Sequence, residues 1–434
     1  MNQEAQNALF IELRERGLVH SLTSEKIASS LCHPLSFYIG FDPTASALHL
    51  GNLVPIVMVR WLQKMGHQPV ILMGGASGRI GDPSGRDQER PCLSKEEIQS
   101  NATQIEQLLK AILCRGEEFP PPLFLDNIDW FANQNCLTFL REIGKHFRIN
   151  SMLSKESVQN RLQQDHGMSF TEFSYSLLQA YDFLHLFCER EVILQIGGSD
   201  QWGNITAGIE LVRKKCQREV FGWTFPLLTQ RDGKKFGKSE GGAIWLSSQL
   251  LSPYHFYQYF FSLPDEDIPK LLRWLTFLPL SLLEKKEREF RQGSLPANAL
   301  KSLLAAEVTE FVHGIEARCL AEKSTEILLP GKQVSPQTLS KEVWEEIKRS
   351  EQISHLSWKR ASPSSTLLEF LASFNLFPSR GQIRRLVQNG GISLNGQVMT
   401  DPAQLLPTPL FLHGRYCLLA VGKKKKYLIE PFDE

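Results

Sequence analysis

The sequence predicts an α/β protein built on a parallel sheet, followed by smaller modules. Near the N-terminus a short apolar strand, Leu35 to Phe41, leads into a turn at Asp42, Pro43, Thr44 and Ser46, then a helical pattern, then a second strand at Val70 to Met73. The same order returns later, with a strand at Val192 to Ile196, a loop from Gly197 to Gly203 and a helix from Ile205 to Lys215. Strand, turn, helix, strand is how a parallel sheet begins. The third observation is length: 434 residues exceed one compact core and suit two or three domains.

Each element has a local reason. Residues 1–33 read as an amphipathic helical entry, with Leu9, Leu13 and Leu18 among charges. After the turn, Val54, Met58, Trp61, Leu62 and Met65 fall on one helical face, and Gly66 stands where a helix-ending glycine is expected. The second strand runs into a glycine-rich loop, Gly74 to Gly85, and the sequence between the two strand–helix units reads as mostly helical. From Ser252 to about Leu329 the chain looks helical, with an apolar stripe at Leu271, Leu272, Leu275 and Leu278. Residues 330–362 mix Pro, Ser, Lys and Glu as a linker does, although Val343, Trp344 and Ile347 hint at a short helix. The last segment opens with an apolar helix at Leu367, Leu368, Phe370 and Leu371 and ends in short β-like runs, a small α+β module.

Composition narrows the function. With 42% hydrophobic and 22% charged residues the chain reads as an ordinary globular protein. A net charge of +1 excludes a polyanion binder over the whole surface, so a nucleic-acid surface must be a local patch. One exists: between Asn375 and Lys426 stand eight basic residues (Arg380, Arg384, Arg385, Arg415 and Lys423 to Lys426) against Asp401 alone. The eight cysteines form no C-x-x-C pair, which points to free thiols in a reducing compartment rather than a zinc knuckle. No apolar run approaches the roughly 20 residues of a membrane span, and the N-terminus resembles neither a signal nor a transit peptide, so a cytoplasmic protein without a membrane partner is expected.

Two motifs carry chemistry. Pro43-Thr44-Ala-Ser-Ala-Leu-His49-Leu-Gly51-Asn52 joins a strand to a helix. A helix N-terminus offers unpaired N–H groups to phosphate, Gly51 permits close approach of a nucleotide, and Thr44 and His49 can donate hydrogen bonds. Lys234-Lys235-Phe236-Gly237-Lys238-Ser239 lies among glycines and suits closure over a polyphosphate. Alone, each is also what a simple turn looks like. Together, about 190 residues apart, they resemble the HIGH and KMSKS signatures of class I aminoacyl-tRNA synthetases, with Asn52 in place of the second histidine. Tyr38-Ile-Gly-Phe-Asp-Pro-Thr44, Gly81-Asp-Pro-Ser-Gly85, Gln179-Ala-Tyr-Asp-Phe183 and Gly197-Gly-Ser-Asp-Gln-Trp-Gly-Asn204 resemble the bacterial-type tyrosyl-tRNA synthetases. Ser379-Arg-Gly-Gln-Ile-Arg-Arg385 and Gly390-Gly-Ile-Ser-Leu-Asn-Gly396 resemble an S4 RNA-binding domain.

The resemblance implies a Rossmann-like catalytic domain at 1–230, the KFGKS loop and a helical domain at 231–330, a linker at 331–362 and an S4-like domain at 363–434. It implies a tyrosine–tRNA ligase that uses ATP, with Mg²⁺ on the nucleotide, and a homodimer that binds tRNA(Tyr). By the same resemblance Tyr38 and Asp182 read the phenol hydroxyl of substrate tyrosine. Asp82, Tyr175 and Gln179 hold its ammonium group, and Gln201 lies near the reacting carboxylate. Gly40, Asp42, His49, Gly51, Asn52, Gly198, Asp200 and Lys238 bind ATP, with Asp200 on the ribose. Thr44, His49, Lys235, Lys238 and Ser239 stabilise the transition state, while Arg86 and Arg90 contact pyrophosphate or the tRNA acceptor end. Arg380, Arg384 and Arg385 bind tRNA. Competing readings are another HIGH-type nucleotidyltransferase, a tryptophan–tRNA ligase, which has no use for the Tyr38/Asp182 pair, and a noncatalytic RNA-binding homologue.

Overall fold

The computed structural model describes residues 3–84, 93–116, 118–163, 167–229, 238–239, 242–328, 336–348, 353–359, 366–422 and 425–432. The chain divides into two compact units, Met1–Leu251 with Leu263–Leu304, and Ser252–Ser262 with Ala305–Glu434.

The first unit is built on a six-stranded sheet of β1 (Ser21–Leu22), β2 (Ser36–Phe41), β3 (Gln68–Met73), β4 (Leu123–Asp126), β5 (Val192–Gly198) and β6 (Phe221–Phe225), in the order β1-β6-β5-β2-β3-β4. All neighbours are parallel except the short edge strand β1. The order reverses at β2, between β3 and β5. A switch of direction opens a crevice beyond the strands' C-terminal ends, where ligands bind in sheets of this kind. Gly40 on β2 is exposed although its neighbours Tyr38, Ile39 and Phe41 are buried. The sheet is therefore uncovered there.

Helix Leu53–Lys64 does more than present one apolar face. Ten of its twelve residues are buried, including polar Arg60 and Gln63. Burial of such groups is tolerated only when they are hydrogen-bonded: Arg60 Nη2 donates to the Ile112 carbonyl at 2.8 Å, and Gln63 Nε2 to that of Pro120 at 2.8 Å. The helix stops at Gly66, whose φ of +86° few side chains tolerate. Strand β4 lies in a stretch that reads as helical in sequence. It is only four residues long and no residue of it is buried, so its apolar run, Leu123 to Leu125, is too short to stand out.

Helix Phe170–Arg190 packs beside helix Trp202–Cys216, and Tyr38, Val70, Leu72, Phe183, Leu186, Val192 and Leu211 share one core under them. The predicted helix at Ile205 starts earlier, at Trp202, directly after a 3₁₀ turn at Ser199–Gln201. The Gly197–Gly203 segment is thus strand end, turn and helix start rather than open loop.

In the second unit, β9 (Ser354–Lys359), β10 (Ile392–Leu394), β11 (Gln397–Met399), β12 (Cys417–Val421) and β13 (Lys425–Phe432) form a sheet in the order β11-β10-β12-β13-β9. Strand β9, in the Pro/Ser/Lys/Glu-rich stretch, pairs parallel to β13. The short helix hinted at by Val343, Trp344 and Ile347 is Lys341–Lys348, with all three residues buried. Trp344 stacks on Tyr416, ring centroids 5.7 Å apart and ring planes nearly parallel. Helices Leu367–Ala372 and Arg380–Gln388 cover the other core, where Leu367, Phe370, Ile383 and Val387 meet Ile392, Leu394 and Leu419.

Candidate active site

Four parallel strands deliver polar residues to one end of the first unit's sheet. Asp42 follows β2, Ser77 and Asp82 follow β3, Asp126 ends β4 with Asn127 next, and Asp200 and Gln201 follow β5. Helix Phe170–Arg190 adds Tyr175, Gln179 and Asp182, whose spacing places them along one face.

A continuous hydrogen-bond chain joins Tyr175, Asp42, Ser77, Asn127 and Asp182. Tyr175 Oη donates to Asp42 Oδ2 at 2.8 Å, and Ser77 Oγ donates to Asp42 Oδ1 at 2.8 Å. Asn127 Nδ2 donates to Ser77 Oγ at 3.0 Å and to Asp182 Oδ2 at 3.2 Å, while Trp130 Nε1 donates to Asp182 Oδ1 at 2.9 Å. The glycines of the β3–helix loop permit this convergence. A Cβ on Gly74 would stand 2.0 Å from Asp42 Oδ1, and one on Gly75 2.3 Å from Asp126 Oδ1, an atom that accepts from the Gly75 amide at 2.9 Å.

Burial dominates the electrostatics. Asp182, 3% exposed, has its pKa pushed up to about 7 by desolvation, against the pull of the Asn127 and Trp130 hydrogen bonds. Burial first, and the Asp182 charge second, hold the Tyr38 phenol well above its ordinary pKa. Its ring lies 5.3 Å from that of Phe183, and its Oη is buried with no hydrogen-bond partner among the described residues. Gln179 Oε1 is in the same condition. Tyr175 is raised by burial and then by the charges of Asp42 and Asp82. A second cluster stands beside the first: Gln201 Nε2 donates to Asp82 Oδ2 at 2.7 Å, and the Ser84 amide to Asp82 Oδ1 at 3.0 Å. Gly198 is needed where Asp200 turns back, since a Cβ there would stand 2.5 Å from Asp200 Oδ1.

The histidine motif is locked locally. His49 Nδ1 accepts from the Gly51 amide at 3.0 Å, so the neutral ring carries its proton on Nε2 and can donate. Asn52 Oδ1 accepts from the His49 amide at 3.1 Å, closing a reciprocal cap. That bond gives Asn52 a defined task at the position where the signature has histidine. The motif also pairs with the stretch after the lysine loop: the Leu50 amide donates to Ile244 O at 2.7 Å and the Leu246 amide to Leu48 O at 2.9 Å. Backbone pairing of Lys238–Ser239 with Gly242–Ala243 forms a small hairpin (β7 and β8). Lys235, Arg86 and Arg90 lie outside the described residues, as do Lys423 and Lys424.

Sequence reading passed over Ser77, Asn127 and Trp130. Asn127 is fully buried and ties the tips of β3 and β4 to Asp182. The signal available was positional: Asp126-Asn127 ends a short apolar run, as Asp42 and Asp200 do.

In the second unit Arg380, Arg384 and Arg385 are exposed on helix Arg380–Gln388, with Ile383 and Val387 turned inward. Two other members of the basic set have protein partners. Lys426 donates to the Ile327 carbonyl, and Arg415 bridges Glu430 at 3.2 Å and Glu345 at 3.5 Å.

Residues 30–329 match the family of tRNA synthetases class I (W and Y), and residues 350–429 match the tyrosine–tRNA ligase SYY-like C-terminal domain. Fold and site thus define a class I aminoacyl-tRNA synthetase. The chain is 43% identical over 422 residues to the tyrosine–tRNA ligase of Protochlamydia amoebophila, covering 97% of this chain and 98% of that one. It is 42% identical to the Escherichia coli enzyme over 98% of this chain and 99% of that one. A C-terminally truncated mitochondrial tyrosyl-tRNA synthetase from Aspergillus nidulans superposes with a TM-score of 0.66 at 29% identity, over 74% of this chain and 94% of that one. The chain belongs to the tyrosyl-tRNA synthetase family, the ligases that join tyrosine to tRNA.

Proposed function

We propose that the chain activates L-tyrosine with ATP to tyrosyl-adenylate and pyrophosphate, then transfers tyrosine to the 3′ end of tRNA(Tyr), with the site residues in the following roles. Tyr38 and Asp182 read the substrate hydroxyl. The observation that carries this is the buried Tyr38 Oη, without a partner among the described residues, beside the buried carboxylate of Asp182. Substrate tyrosine supplies the missing partner. Phenylalanine leaves Tyr38 Oη without a partner and the buried Asp182 without the substrate's proton, a discrimination established for this family at about 10⁵. The carboxylates of Asp42, Asp82 and Asp182, all acting on Tyr175, give the pocket the negative potential that an α-ammonium group needs, with Gln179 Oε1 as a further acceptor.

ATP lies across the switch point between β2 and β5, over exposed Gly40, with its ribose on Asp200 and its phosphates toward Gly51. Thr44 and the His49 Nε2–H donate to the phosphate as charge develops on it. Lys235, Lys238 and Ser239 close over the pyrophosphate, and Arg86 and Arg90 reach the pyrophosphate or the acceptor end. Mg²⁺ arrives with the nucleotide and neutralises charge there. Substrate carboxylate is the nucleophile, so positioning and charge stabilisation do the catalysis and no protein nucleophile is needed.

The C-terminal S4-like module holds tRNA through Arg380, Arg384 and Arg385. A second copy of the chain completes a homodimer. Large apolar side chains stand out along one stretch, Leu137 at 77% and Phe170 at 78% exposure, with Leu140, Ile149 and Leu162 between them. No helix among the described residues is long and apolar enough to cross a membrane, and we place the enzyme in the cytoplasm.

The test is ATP–pyrophosphate exchange without tRNA, with tyrosine, phenylalanine and tryptophan in parallel. Exchange with tyrosine alone is expected. Exchange with tryptophan would overturn the hydroxyl-reading pocket, and exchange with no amino acid would leave only RNA binding.

A further inference from the structure

We infer that Cys188 and Cys216 are a modification site, a dithiol that a small-molecule disulfide of the glutathione type converts to an intramolecular disulfide. Their Sγ atoms lie 3.9 Å apart.

The pairing follows from helix packing. Gly208 of helix Trp202–Cys216 faces helix Phe170–Arg190 so closely that a Cβ on it would stand 3.0 Å from the Phe183 ring and 3.5 Å from Ala180 Cα. Cys188 lies eight residues beyond Ala180, and Cys216 eight residues beyond Gly208. Just over two turns keep each cysteine on the face of its contact residue, and the close contact carries both thiols to the same level. Cys188 is exposed and Cys216 half-buried. Both line an open cavity of about 920 Å³ together with Ser36 and Gln68, the first residues of β2 and β3. This is the end of the sheet opposite the proposed tyrosine and ATP sites, and the inference does not depend on those assignments. A disulfide needs the sulfurs roughly 2 Å closer, a movement shared by two side chains at helix ends.

The chemistry balances. The Cys188 thiolate attacks one sulfur of the small disulfide, a small thiol leaves, and a mixed disulfide remains on Cys188. The Cys216 thiolate then attacks the Cys188 sulfur and expels a second small thiol. Two protein thiols are oxidised, one disulfide is reduced to two thiols, and the two protons end on the leaving thiols. Partial desolvation at the helix end and the neighbouring Cys216 push the Cys188 thiol pKa up, so exchange is slow and the product is set by the redox buffer.

The experiment equilibrates the native full-length protein in oxidised and reduced glutathione at several ratios, quenches with acid, and maps peptides by mass spectrometry. A peptide pair joined through Cys188 and Cys216, lighter by two hydrogens and lost on adding excess reduced glutathione, is the expected result. In Cys188→Ser the Cys216 thiol should stop at the mixed disulfide, and in Cys216→Ser the Cys188 thiol likewise. Mixed disulfides at both positions in the unsubstituted protein, or a Cys188–Cys216 link that appears only after unfolding by urea, would overturn the inference.

Discussion

The pocket of the first unit and the basic helix of the second both use charge, in opposite ways. In the pocket Asp182 is desolvated and held by Asn127 and Trp130, and Tyr38 is sealed beside it. On helix Arg380–Gln388 the arginines stand in water on an apolar footing of Ile383 and Val387. A buried polar group that loses its partner costs its full desolvation energy, so a dry pocket can choose between substrates differing by one hydroxyl. Exposed cations add modest, salt-screened attraction to a polyanion and choose little. The two regions should therefore differ in how steeply they respond to single substitutions.

The largest response is expected at Asp182. In Asp182→Ala, kcat/KM for tyrosine in pyrophosphate exchange should fall by about 10³, because the substrate hydroxyl is left in a dry site without its acceptor. A loss below tenfold would remove the contrast between pocket and helix.

Asp182 also links the pocket to pH. Its folded pKa of about 7 stands above the ordinary 3.8, so between about pH 4 and pH 7 the fold binds a proton that the unfolded chain has released. Stability without tyrosine should fall as pH rises through that window and level off above it, by up to about 4 kcal/mol. Asp182→Asn removes the titration. Urea unfolding of both proteins from pH 5 to pH 8 should show the variant's relative stability growing with pH, and a pH-independent difference would refute the assignment.

Much of this was legible in the sequence, and the reason differs by residue. Tyr38, Asp82, Gln179, Asp182 and Asp200 sit in ordered motifs, and the resemblance of those motifs to a family, not the strand–turn–helix pattern, singled them out. Ser77, Asn127 and Trp130 were not legible, because their roles arise only where β3, β4 and helix Phe170–Arg190 converge. β4 and β9 escaped for other reasons: the apolar run of β4, Leu123 to Leu125, is only three residues long, and β9, Ser354–Lys359, is mostly polar and has no buried residue. Asn52 looked like a departure from its motif, yet a side-chain carbonyl meets the local need, which is to accept the His49 amide.

The next effect in size is expected at His49. His49→Ala removes one donor that acts as phosphate charge develops, so the adenylation rate should fall by about 10². Tyrosine affinity, measured by equilibrium dialysis without ATP, should stay within a factor of about two, since the ring is absent from the Asp182 network. Lost tyrosine affinity at an unchanged rate would reverse the roles given to the two clusters.

The smallest effects belong to the basic helix, and they are the sharpest test of the contrast. Arg384→Ala should weaken tRNA binding severalfold and lower the slope of log Kobs against log salt by about one. Tyrosine-dependent exchange without tRNA should be unaffected. Lys426→Ala removes an equal charge from the same module, but this lysine is half-buried, its pKa is lowered by burial, and it donates to the Ile327 carbonyl. Its loss should cost stability and leave the salt slope alone. Equal slopes lost in the two variants would mean that the footprint follows net charge and not exposure, and that the helix holds no special place in it.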